Sequence, residues 1–161
     1  MRLQTTIPRV YSEAEDESKI MNESHPVSPL AIGAAALAVA GTMLVLDLTW
    51  LGVVAGGIYD RLLGGLKAKD AYLPAAGLFY AMYIAAVVAH AVLGATSRSS
   101  ALRRGAALGF VCYATYELTN WAVLRDWPAK LVPIDIAWGI VLTAVAALAG
   151  RIAFTRAGGA P

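Results

Sequence analysis

The run "LAIGAAALAVAGTMLVLDLTWLGVVAGGI", residues 30–58, decides the fold. Asp47 is its one charged residue, and the run exceeds the roughly 20 residues that a helix needs to cross the hydrocarbon of a bilayer. Its apolar residues show none of the polar–apolar alternation of a membrane β-strand. A chain segment in lipid must satisfy its own backbone hydrogen bonds, so a helix is the remaining solution.

Three further apolar runs lie downstream, at 72–95, 102–124 and 131–152, and each is long enough to span. The connections between them carry charge and helix-breaking residues: "DRLLGGLKAKD", "TSRSSALRR" and "RDWPAK", in which Pro128 disfavours helix at Trp127. Tyr59, Tyr72, Trp127 and Phe154 sit near the ends of the runs, where aromatic belts form. The expected fold is therefore all-α: a four-helix transmembrane bundle, up-down-up-down, with short loops.

Composition agrees. Hydrophobic residues make up 58% of the 161 residues and charged ones 15%, against about 45–50% and about 25% in an average soluble domain. Mean hydropathy is +0.61. The net charge of +2 is too small to argue for a nucleic-acid partner, and the single cysteine, Cys112, excludes an internal disulfide. Residues 1–29 differ, with the acidic "SEAEDESK" and the proline-containing "ESHPVSP". They read as a disordered acidic tail without the basic start and short apolar core of a signal peptide, and Met21 offers an alternative start. Residues 30–152 form the membrane domain, and 153–161 a short C-terminal tail.

Three carboxyls fall within the runs: Asp47, Glu117 and Asp135. An acidic residue at the centre of a membrane helix costs about 2.5–3.5 kcal/mol, so such groups face the interior and mark candidate sites. With alternating helix directions all three lie toward one side of the membrane. Residues three, four and seven apart share a helix face. Tyr113, Asn120 and Trp121 accompany Glu117, Trp50 accompanies Asp47, and Trp138 accompanies Asp135, with Tyr80 and Tyr83 at similar depth on the second run. "LDLTWLG" and "IDIAWG" repeat an Asp-x-x-Trp pattern that suggests an internal duplication. Gly52-x-x-x-Gly56 and Gly105-x-x-x-Gly109 have the spacing that lets membrane helices approach closely, read here as packing within the bundle.

No Lys or Arg lies deep in a run to neutralise these acids, so neighbouring carboxyls must share protons or a cation. His90 lies in the opposite half, and the Glu-x-x-His pairs of di-iron bundles are missing, so no metal is expected. Phosphate loops, nucleophile elbows and HExxH are absent. Three functions stay open. The first is binding, transport or sensing of a small ligand or cation at Asp47, Trp50, Tyr80, Tyr83, Tyr113, Glu117, Asn120, Trp121, Asp135 and Trp138. The second is a membrane-embedded enzyme doing acid–base chemistry on a lipid-like substrate. The third is a structural or assembly subunit. No cofactor is indicated, and the expected partner is the lipid bilayer.

"LDLTWLGVV", "FYAMY", "GFVCYATYELTNWAVLRDWP" and "DIAWGIVLTAVAA" resemble a bacterial family of small four-span inner-membrane proteins, domain of unknown function 2177. The resemblance covers about residues 30–152 and is most specific in the third run. It implies the four-span layout and matches family motifs at Asp47, Trp50, Glu117, Asn120, Trp121, Asp135 and Trp138, with no substrate or mechanism attached. The Arg98, Arg103 and Arg104 cluster makes cytoplasmic termini in an inner membrane the expected orientation.

Overall fold

The computed structural model describes residues 27–159, which are helical without strands. Most of the expected acidic tail, Met21 included, lies outside them. Helix α1 spans Pro29–Thr49, with proline in its first turn, where no N–H is needed. It continues as a wider π-helical turn over Trp50–Val54 and ends at Ala55. The first apolar run was expected to continue to residue 58. Instead the chain breaks here, because Gly56 passes so close to the Leu51 carbonyl that a β-carbon would lie 2.5 Å from the oxygen.

A short helix follows, α2, Gly56–Leu63, and Gly64 turns the chain with a positive φ of 48°. Helix α3, Leu73–Ala86, also starts on a proline and continues in π-helical form over Val87–Leu93. Helix α4, Arg98–Val123, is capped by Ser97, whose hydroxyl accepts from the Ser100 amide at 3.1 Å. Helix α5, Leu131–Arg156, runs one turn beyond the expected boundary at residue 152.

Three segments are long and apolar enough to cross a membrane: Pro29–Val54, Leu73–Leu93 and Leu131–Arg156. Helix α4 has the length, about 39 Å at the usual rise, but Tyr113, Tyr116, Glu117 and Asn120 make it less apolar than the other three. Exposed Arg98, Arg103 and Arg104 at its start lower it further.

Helix α5 is the hub, with half of its apolar window buried against 22% and 28% for the other two. Ala31, Ala35, Val39 and Met43, spaced by four, turn one stripe of α1 inward. Leu37, Leu44, Leu48 and Val53 of the same segment are exposed. Apolar residues on both faces are expected of a helix with protein on one side and lipid on the other.

Close approach sets the α4–α5 seam. A β-carbon on Gly105 would meet the Thr143 carbonyl oxygen at 2.6 Å, and one on Gly109 the Thr143 hydroxyl at 2.8 Å. The Gly105–Gly109 pair therefore packs within the molecule, whereas Gly52 has no neighbour within 4 Å at that position. Contacts pairing 105 with 147 and 109 with 139 mean that α4 and α5 run in opposite directions.

Candidate functional site

Two acid centres, one buried and one half-buried, stand at the end of the molecule where α1 finishes and α5 begins. The first is Glu117 with Asp135. Glu117 is completely buried and Asp135 is 7% exposed. Their carboxyls lie side by side, close enough to share a proton. The Trp127 indole donates to Glu117 Oε2 at 2.9 Å, while Glu117 Oε1 has no partner among the described residues. From the other side, the Tyr59 hydroxyl donates to Asp135 Oδ1. Burial, with the Asp135 carboxyl adding to it, raises the Tyr59 phenol far above its ordinary range, so it keeps the proton it donates.

The second centre is Asp47. It accepts from the Tyr80 hydroxyl at 2.7 Å and from the Trp138 indole at 3.2 Å. The centres are joined by aromatic rings. Trp50 stacks on Trp138 with centroids 4.4 Å apart and planes 6° from parallel. The Trp50 indole nitrogen also points to the Tyr59 oxygen, a long contact at 3.4 Å. Trp50 keeps the α-helical register of α1, three residues beyond Asp47, and the π-helical turn begins there.

The remaining sequence-derived residues divide. Tyr83 hydrogen-bonds Thr143 at 2.7 Å, and Thr143 in turn donates to the Gly139 carbonyl at 2.7 Å. Tyr113 fills the notch at Gly139 and meets Tyr83 edge-on at 6.5 Å. Asn120 is half-buried beside the Tyr116 hydroxyl. Trp121 is 52% exposed and donates to neither acid centre.

Two participants were not among the sequence-derived site residues. Tyr59 and Trp127 read as interfacial aromatics, yet each donates to a buried carboxyl. Their signals were the Gly56–Gly57 pair, which lets the chain turn at the end of α1, and Pro128, which ends helix and holds Trp127 at the turn. Tyr59→Phe is expected to cost about 1–3 kcal/mol, because Asp135 then loses a buried donor. Thermal unfolding of the purified variant checks this, and melting together with wild type would remove Tyr59 from the network.

Between α3 and α4 a groove of about 580 Å³ is lined by Phe79, Met82, Tyr83, Cys112, Tyr113 and Tyr116, among others. Its lining is almost wholly apolar.

Long helices with apolar residues exposed on their outer faces define an all-helical membrane protein. The chain belongs to the family described as predicted membrane protein, domain of unknown function 2177, whose model matches residues 32–152. Comparison with curated proteins and with solved structures found no match.

Proposed function

We infer that the chain is a four-span inner-membrane protein, with α4 as the fourth crossing, whose acid–aromatic interior binds a small cation and serves transport or sensing. One observation carries this reading: Glu117 Oε1 is buried without a partner beside a second carboxyl. A buried carboxyl oxygen is normally satisfied. A shared proton or a small cation between Glu117 and Asp135 would satisfy it, and no Lys or Arg side chain donates there among the described residues. Asp47 offers a second station, with Trp50, Trp138 and Tyr80 as its wall, and Tyr83 and Tyr113 lie beside the path between the helices. The arginine-rich end, with Arg98, Arg103 and Arg104, is assigned to the cytoplasm.

The test is thermal unfolding of the purified chain in sodium, potassium, methylammonium and choline chlorides at matched ionic strength. A bound cation at a hundred times its Kd stabilises by about 2.7 kcal/mol. Wild type is expected to gain this with one of the salts. Glu117→Gln is expected to stay folded and gain nothing. Equal gains in both proteins, or none in wild type, overturn the reading.

The apolar groove favours a second reading, a membrane-embedded enzyme that admits a lipid-like substrate between α3 and α4 and uses Glu117 as proton carrier. It predicts an altered lipid pool in a deletion strain that wild type restores and Glu117→Gln does not. A purely structural role predicts loss of folded protein in the Gln variant and no salt effect in wild type.

A further inference from the structure

Acidic residues are segregated along the helices, while basic ones occur at both ends. Every described acid, Asp47, Asp60, Asp70, Glu117, Asp126 and Asp135, lies in the half where α1 ends and α5 begins. The opposite end, where α4 begins and α5 finishes, holds His90, Arg98, Arg103, Arg104, Arg151 and Arg156, with no Asp or Glu among the described residues.

Arg151 is unlike the others there. It is 3% exposed, whereas Arg98, Arg103, Arg104 and Arg156 are exposed. Its guanidinium lies 5.4 Å over the Phe154 ring. It makes no hydrogen bond or ion pair with an oxygen among the described residues, although it carries five N–H donors. Arg104 shows the alternative, since its Nε donates to the His90 carbonyl at 2.6 Å. Arg104 is bonded at this end, whereas Arg151 is buried along its stem and makes no hydrogen bond among the described residues, and its nitrogens are not among the fully buried atoms, so they stay reachable from outside.

Helix register shows what lies beside it. Gly105 meets Thr143 and Ala147, and Arg151 is one turn beyond Ala147 on the same face of α5. One turn back along α4 from Gly105 is Ala101, which is fully buried, and beyond it Arg98. Arg151 therefore stands level with the first turn of α4. Ser97 caps the Ser100 amide there, and the amides that precede it have no partner inside the helix. The guanidinium lies near the negative end of its own helix, and the positive end of the 26-residue α4 stands level with it. An anion between them would accept from the free amides of the first turn of α4 and from the unbonded guanidinium, whose fork suits the oxygens of a phosphate.

We propose that Arg151, with Arg98 and the first turn of α4, binds a phosphate group, that of an anionic lipid headgroup. The exposed Leu30 and Leu102 at this end offer apolar surface for its chains. The surrounding arginines select net negative charge and repel a choline headgroup, which carries a phosphate but also a cation.

The full chain is purified in detergent, and its binding of phosphatidylglycerol and phosphatidylcholine is measured by native mass spectrometry with parallel thermal unfolding. A third arm adds inorganic phosphate alone. Wild type is expected to prefer phosphatidylglycerol, and Arg151→Gln to lose that preference with about a ten- to hundredfold weaker affinity, the span of a charged hydrogen bond. Arg151→Lys keeps the charge without the fork, so it tests the site if the Gln variant does not fold, and it is expected to bind at an intermediate level. Arg156→Gln, an exposed control, is expected to bind nearly as wild type. Stabilisation by inorganic phosphate equal to that by phosphatidylglycerol would keep the phosphate site and replace its source with a soluble anion. Equal binding of both lipids by wild type with no phosphate effect overturns the proposal, as does an Arg151→Lys variant indistinguishable from wild type.

Discussion

Gly139→Leu is expected to eliminate most of the folded protein. A β-carbon at residue 139 would enter the Tyr113 ring, with Cδ1 only 2.7 Å away, and the backbone opposite is that of Gly109. Extra methylenes in a packed core cost about 1–3 kcal/mol where neighbours can shift. Here the neighbours are an aromatic ring wedged between helices and a backbone already in contact, so a loss above about 3 kcal/mol is expected, a large share of a typical 5–15 kcal/mol. Gly33→Leu is the control, since nothing lies within 4 Å of that position. Size-exclusion profiles and thermal unfolding of the two variants compare them directly. Equal behaviour would mean that the α4–α5 seam does not depend on its glycines.

Trp138→Ala should be nearly as damaging, at about 3–5 kcal/mol for a large aromatic truncated in a packed site. The indole has two roles, stacking on Trp50 and donating to Asp47, and a milder variant separates them. Trp138→Phe keeps a ring against Trp50 but leaves Asp47 with Tyr80 alone, an expected cost of about 1–3 kcal/mol. Combined with Asp47→Asn in a double-mutant cycle, it should show a coupling of about 0.5–3 kcal/mol, the range for residues in contact. Strict additivity would show that the indole and the carboxyl act independently.

The helices were legible because apolar runs of membrane length leave the backbone one solution, and the ends of α3 and α5 fall within a few residues of the sequence-derived limits. The break at Ala55 was not legible. It depends on Gly56 meeting a carbonyl of the preceding turn, a contact that a hydropathy pattern does not carry. The site divides on the same physical line. Helical spacing predicted which residues accompany Asp47 and Glu117 on their own helices. It did not predict that Trp138 would bond the aspartate of α1 rather than its own neighbour Asp135. Nor did it predict that donors from connecting segments, Tyr59 and Trp127, would reach the Glu117 pair. Partner choice across helices is set by close approach, as at the glycine seam of α4 and α5, and that is a property of packing.

The placement of the four tryptophans has an optical consequence. Trp50 and Trp138, face to face, couple their transition dipoles and share one near-ultraviolet circular dichroism signal that belongs to the Asp47 side. Trp127 reports separately, since its indole N–H is bound to Glu117 and its emission follows the charge on that oxygen. The half-exposed Trp121 senses the surrounding medium. The molecule thus carries its own spectroscopic labels, one for each acid centre and one for the solvent around it.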